Sequence, residues 1–182
     1  MFWKKSKLPK PTQFVKDEGG LREDFPYPER YCSIYISEKH KEIVFVPMGR
    51  IDPWKSRELD SVIVKEWPLN IGELQDCIQT TLDKWKDQVD DIEPGNKLWY
   101  SLNNSKAKTQ HSFRVDYVHL TLTTDMDRKY GQGEVERITV KASPFDWSEV
   151  RYKLVGTNHL METQIAQLVI DISKACEKIR TN

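Results

Sequence analysis

The chain has 182 residues, 38% of them hydrophobic and 31% charged, with 28 basic and 28 acidic side chains. That length holds one well-buried core and is too short for two large domains. The balanced charge excludes an overall field that would drive the chain onto DNA or an anionic membrane, and no apolar run approaches the roughly 18 residues of a membrane span.

Cys32, Cys77 and Cys176 are an odd number and widely spaced. This suits reduced thiols packed as small apolar groups in a cytoplasm. Met1-Phe2-Trp3 is followed by Lys4, Lys5 and Lys7 with no apolar h-region, so no signal peptide is expected. Residues 1–30 read as an N-terminal arm, since Pro9, Pro11, Pro26 and Pro28 interrupt any ladder and Gly19-Gly20 adds freedom. Its Lys4, Lys5, Lys7 and Lys10 fit either a phosphate or membrane contact or a solvated terminus; so few charges bind weakly at physiological salt.

Tyr31 to Met48 predicts a hairpin. Ile34 and Ile36 alternate with Ser33, Tyr35 and Ser37, Glu38 to Lys41 forms a polar turn, and Ile43-Val44-Phe45-Val46 is the unbroken apolar run of a strand covered on both faces. A loop is expected over Gly49 to Asp60 and a third strand over Ser61 to Trp67. Ile71, Leu74, Ile78, Leu82, Trp85 and Val89 predict a helix from Ile71 to Val89 with Asn70 as its N-cap. Residues 96–116 are hard to read beyond a short helix over Leu98 to Leu102 and a polar connector from Asn103 to Gln110. Strands follow from Tyr117 to Thr123, Val135 to Ala142 and Arg151 to Val155, with a loop from Thr124 to Glu134. Gly156 to His159 is expected to lead into a last helix, Leu160 to Arg180, whose apolar stripe is Ile165, Leu168, Val169, Ile172, Cys176 and Ile179.

Together these elements predict an α+β domain over residues 31–182, with a mainly antiparallel sheet of about six strands and two long helices. The order strand, strand, strand, helix occurs twice, over 31–95 and 116–180. Ser33 to Ser37 corresponds to His119 to Thr123, Ile43 to Val46 corresponds to Ile138 to Lys141, and the helices align with Leu74 on Ile165. An internal duplication and chance matching of two amphipathic helices both fit this pattern.

No catalytic, cofactor or metal motif stands out. His40, His111, His119 and His159 are far apart, and His119 is expected on the surface because it lies opposite the apolar positions of its strand. Asp125 to Gly131 has the wrong residues for a calcium loop, with Lys at the fifth position and Gly at the seventh. Glu134, Glu136 and Lys141, with Asp116 or Asp125, are the residues from which a metal-dependent nuclease or hydrolase would have to be assembled. The other notable pattern is acidic. Glu73, Asp76, Asp83, Asp87 and Asp90 fall on the helix face opposite the apolar stripe, and Asp91 and Glu93 extend the charge past its end. A solvated face and a docking surface for a basic protein both account for it.

In its apolar positions and element order the chain resembles the immunity proteins of bacterial contact-dependent growth-inhibition systems. The likeness runs from Ser33-Ile34-Tyr35-Ile36-Ser37 to Val44-Phe45-Val46-Pro47, from Asp60-Ser61-Val62-Ile63-Val64 to Glu73-Leu74, and from Tyr152 to Cys176. The resemblance implies a cytoplasmic, non-enzymatic protein that needs no cofactor. It would bind and neutralise the toxic C-terminal domain of a cognate effector, often a nuclease, without touching nucleic acid or membrane itself. The rival readings are the small metal-dependent nuclease or hydrolase and an interaction module of another assembly.

Overall fold

The computed structural model of the chain describes residues 30–52, 55–91, 99–127, 135–143, 154–159 and 164–181. Among these are seven strands: β1 (Arg30–Ser37), β2 (Glu42–Asp52), β3 (Lys55–Glu58), β4 (Ile63–Glu66), β5 (Val118–Asp127), β6 (Val135–Ser143) and β7 (Leu154–His159). Four helices accompany them: α1 (Ile71–Asp83), α2 (Tyr100–Asn104), α3 (Gln110–Asp116) and α4 (Gln164–Thr181). The fold is α+β. Every strand pairing is antiparallel, in the order β3-β2-β1-β5-β6-β7, with β4 beside β3 on the same edge of β2.

Alternation in β1 sends Cys32, Ile34 and Ile36 to one face of the sheet, where they meet Leu120, Leu122, Val140, α1 and α4 in the main core. The apolar run of β2 is divided between both faces, as its lack of alternation predicts. Ile43 and Phe45 join the main core, while Val44, Val46 and Met48 form a second, smaller core with Ala107, Phe113 and Tyr117. The helices α2 and α3 lie over that second face. Thr109 starts α3 with a capping box, its side chain accepting from Ser112 N while the Ser112 hydroxyl accepts from Thr109 N.

Several boundaries differ from expectation. β2 runs on to Asp52 and β3 occupies part of the expected Gly49 to Asp60 loop; Lys55-Ser56-Arg57-Glu58 shows no apolar alternation because it is a polar strand at the sheet edge. β5 extends to Asp127 and β7 covers Leu154–His159, so Gly156 to His159 is strand. The first long helix has its expected N-cap, with Asn70 Oδ1 accepting from Glu73 N at 2.8 Å, but it ends at Asp83. Lys84 N turns back to Thr81 O, and the chain then runs beside β2, with Lys86 N donating to Met48 O, Arg50 N to Lys86 O and Val89 N to Arg50 O. No local breaker stops the helix. These sheet bonds do, because β1 ends its pairing with β2 at Cys32↔Pro47 and leaves the edge of Gly49 open to Lys86. Trp85 and Val89 therefore leave the stripe, and Trp85 packs on the second core.

The remaining stripe residues of α1, namely Leu74, Ile78 and Leu82, are buried in the main core opposite Ile165, Val169, Ile172 and Cys176 of α4. Leu168 is only partly buried. Residues 1–29 and 92–98, which include most of the expected arm and Glu93, lie outside the described residues. Leu74→Ala and Ile165→Ala should each cost about 2–5 kcal/mol, and Leu168→Ala less, because only the first two leave a closed cavity. Urea midpoints at constant m-value measure this order.

Candidate functional site

The acidic residues singled out in the sequence do not form one helical stripe. Glu73, Asp76 and Asp83 lie on α1, whereas Asp87, Asp90 and Asp91 lie past its end, on the chain that Lys86 and Val89 hydrogen-bond to β2. That segment sits close: a Cβ on Gly49 would come within 2.6 Å of Val89 Cγ1, so glycine is what admits it. Asp76, Asp83, Asp87, Asp90 and Asp91 are exposed and Glu73 is half-buried. Four of the six carry an ion pair: Glu73 with Lys65 at 3.2 Å, Asp83 with Arg30 at 2.9 Å, Asp87 with Arg50 at 3.0 Å and Asp91 with Lys55 at 2.6 Å. Pairs this open contribute at most about 1 kcal/mol each. Beside them Trp85 meets Tyr31 edge-on at 6.2 Å, and the Arg50 guanidinium lies 5.7 Å over the indole.

The second polar assembly fastens α2 and α3 to the sheet through residues that lie far apart in the chain. Glu58 of β3 takes Ser101 N at 2.7 Å, Ser101 Oγ at 2.6 Å and the Tyr35 hydroxyl at 3.2 Å. It thus serves as the N-terminal acceptor of α2, whose own N-cap residue Trp99 makes no side-chain bond. Burial pushes the Glu58 carboxyl up despite the Ser101 bonds that favour its charged form, and burial followed by the Glu58 charge raises the Tyr35 phenol. Glu42, buried at the start of β2, accepts from the Tyr117 hydroxyl and, at 2.7 Å, from Lys106 N. Asp116, at the end of α3, holds Lys39 at 2.9 Å and His40 Nε2 at 2.9 Å. Burial alone would raise its carboxyl, but the bonds to Lys39 and His40 outweigh that and bring it below the ordinary aspartate range.

His119 is half-buried rather than on the open surface. Its ring stacks on Tyr35 at 4.5 Å with Nε2 3.1 Å from Ser33 Oγ, and burial lowers its pKa to about 4. The strand face opposite the main core is not free here, because α3 covers its neighbour Tyr35 through Phe113. The one readable sign of this assembly was Glu42, a carboxylate directly before four apolar residues.

Topology separates Asp116 from the other carboxylates proposed for a nuclease, whereas Asp125 and Glu136 fall at neighbouring positions of the β5–β6 ladder. Asp116 precedes the first residue of β5, while Asp125 faces Arg137 near the other end of that strand and Glu136 faces Met126. Nine residues of strand span about 30 Å. Glu134 lies outside the described residues, and among the described residues no three His, Cys, Asp or Glu side chains converge as a metal site. The backbone of Asp125 to Asp127 belongs to β5, and the rest of the calcium-like stretch lies outside the described residues. Cys32, Cys77 and Cys176 are free and buried; burial raises each thiol away from the reactive thiolate form.

No protein-family model matches this chain, and no curated protein does. Among solved structures the chain is similar to a protein of unknown function from Neisseria meningitidis, at a TM-score of 0.50 and 7% sequence identity, over 79% of this chain and 93% of that one. At that identity the likeness concerns the fold alone.

Two substitutions probe the two assemblies. Glu42→Leu leaves the Tyr117 hydroxyl and Lys106 N without their acceptor and should cost about 2–4 kcal/mol in denaturant unfolding. Gly49→Val should detach the 84–89 segment while α1 and α4 stay folded, seen as faster amide exchange at Lys86 and Val89 with unchanged exchange at Ile78 and Val169.

Proposed function

We propose that this protein is a bacterial immunity protein, an antitoxin that binds and neutralises the toxic C-terminal domain of a cognate effector in the cytoplasm. The supporting observation is the disposition of the acidic face. In three of its ion pairs the carboxylate is the outer partner: Asp83 is 57% exposed against 32% for Arg30, Asp87 79% against 22% for Arg50, and Asp91 56% against 47% for Lys55. The cations steady the carboxylates from beneath, so an approaching molecule meets negative charge first. Asp87 lies between Lys86 and Val89, whose backbones are tied to β2, and Asp90 follows directly, which limits the ordering cost on binding.

A basic nuclease domain fits that surface. Such a domain holds phosphate through lysine and arginine, and carboxylates set against those side chains occupy the same positions. Complementary charge then speeds encounter and discriminates among partners. In this reading the protein needs no metal, carries out no reaction and acts by covering the toxin.

Co-expression with the toxin domain encoded directly upstream should yield a complex that survives purification, and the protein should protect cells from that domain. Asp76→Lys with Asp90→Lys breaks none of the ion pairs described above, so this double variant should fold normally. It should associate about tenfold more slowly at low salt, with the difference fading as salt screens the face. Stopped-flow association at two ionic strengths measures it. An unchanged rate removes this face from the interface, and failure to bind or protect against the neighbouring toxin removes the immunity reading.

A further inference from the structure

The ion pairs at the β1–β2 turn are arranged the opposite way from those of the acidic face. Lys39 is 67% exposed against 8% for Asp116, Lys106 57% against 2% for Glu42, and Lys41 61% against 45% for Glu38. Here the carboxylates lie beneath and the ammonium groups meet solvent. Lys106 Nζ also donates to His40 O at 2.9 Å, which brings the lysine that follows α2 beside those of the turn. Lys108, a little further on, is exposed. The same end carries the large hydrophobics left exposed among the described residues, Val64, Ile71 and Val115. Val115 adjoins Asp116, Val64 faces Val44 across the β2–β4 ladder, and Ile71 opens α1 just after Trp67, whose N–H donates to Lys41 O. Exposed apolar groups collected at one end, among charges mainly of one sign, mark an interaction surface.

We propose that this turn end docks on the acidic face of a second copy of the chain, so that the free protein associates head to tail. Charge complementarity selects that partner. The acidic face sets the carboxylates of Asp83, Asp87 and Asp91 outside their cations, just as the turn end sets its lysines outside their carboxylates. Tyr31 and Trp85, half-buried beside those aspartates, offer an aromatic surface to the apolar groups of the turn end. Open charges of the other sign are outnumbered at each end: Glu38 and Glu66 at the turn, Lys86 beside Trp85. The formal net charge is zero, so no overall repulsion keeps copies apart.

The two surfaces lie at opposite ends of β2. Glu42 sits under Lys106 at its start and Arg50 holds Asp87 near its finish, and the strand between them spans about 27 Å. One copy therefore cannot join its own ends. The contact is heterologous, using a different surface on each partner, and it leaves one free end of each kind, so assemblies lengthen with concentration. This association rests on the acidic face being a docking surface for basic partners, as proposed above, and adds a regulation to it. A toxin domain and a second copy compete for the same carboxylates, so the toxin binds the dissociated form.

Sedimentation velocity of the whole chain should show mass rising with concentration at an ionic strength of about 0.01 M and a monomer at about 1 M, where charges are screened beyond about 3 Å. Carbodiimide coupling joins a lysine to a carboxylate in direct contact. At low salt it should link Lys39, Lys41, Lys106 or Lys108 of one copy to Asp83, Asp87, Asp90 or Asp91 of another. Lys41→Gln with Lys108→Gln removes two exposed charges from the turn end. It should weaken self-association by about fivefold or more and keep binding of the upstream toxin domain within about twofold of wild type, since the acidic face is intact. Asp87→Asn with Asp90→Asn should weaken both. A monomer at low salt, links that join like ends, or undiminished association in the lysine variant overturns the proposal. Binding of a labelled single-stranded oligonucleotide without self-association, lost in the lysine variant, overturns it in favour of nucleic acid at the turn end. Head-to-tail association without toxin binding upholds it and removes the immunity reading alone.

Discussion

The fold depends on one ladder, the antiparallel pairing of β1 with β5. It joins residues far apart in the chain, from Arg30 with Thr124 at one end to Ile36 with Val118 at the other, and it sets Ile34 directly opposite Leu120 in the main core. Every other strand pairing lies within one half of the chain: β2, β3 and β4 on the β1 side, β6 and β7 on the β5 side. Such a contact carries a high loop-closure cost and brings its return only when the two halves meet. The main core is the compensation, since α1 packs on α4 across the same ladder and their apolar stripes close over both halves together.

The two halves share an arrangement around that ladder. The shift that carries Ile34 onto Leu120 carries Ile36 onto Leu122, and following the ladders outward aligns Ile43 with Val140 and Lys65 with Gly156. The last of these is the same shift that carries Leu74 onto Ile165. The strand correspondence read from sequence, Ile43 with Ile138, is two residues out of this register and keeps the correct face, because strand side chains repeat every two residues. The halves differ on the second face. Val44 and Val46 of β2 lie under α2 and α3, whereas the residues that the ladders align with them, Lys141 and Ser143, are exposed. An apolar face requires a cover and a polar one does not, so the layer inserted between the halves lies over the first alone.

Much of the fold was legible because most elements obey a period. β1, β5 and β6 alternate, α1 and α4 show apolar stripes, and Asn70 marks a cap. What was illegible obeys no period. The end of α1 is set by sheet bonds to Met48 and Arg50, which local sequence cannot show, since Asp83-Lys84-Trp85-Lys86 contains no breaker. The edge strand β3 is wholly polar. α3 carried a weaker sign, because its capping box pairs Thr109 with Ser112 where a glutamate or glutamine is the familiar third residue. Of the six described residues of the acidic row, five are exposed, as the pattern implies, but they do not share one helical face. The carboxylates that matter most to packing, Glu42 and Glu58, were not singled out, because their partners Tyr117 and Ser101 lie 75 and 43 positions away.

The chain therefore uses carboxylates in two opposed ways. Those of the acidic face are largely solvated, three of them paired to less exposed cations, and cost little to redirect toward another molecule. Those of the second core are buried and committed, and their responses to pH differ in sign. Asp116, depressed by Lys39 and His40, contributes stability above its unfolded value that is lost only as strong acid protonates it. Glu58, raised by burial, costs stability while charged and is relieved as pH falls through its folded value. His119, depressed by burial, lets stability fall from about pH 6.5 downward, earlier than the Asp116 bond is lost. His119 and Glu58, whose responses oppose each other, are joined through the Tyr35 ring that stacks on one and donates to the other. Asp116 stays charged through that range, so the bond from α3 to the β1–β2 turn persists while His119 and Glu58 respond.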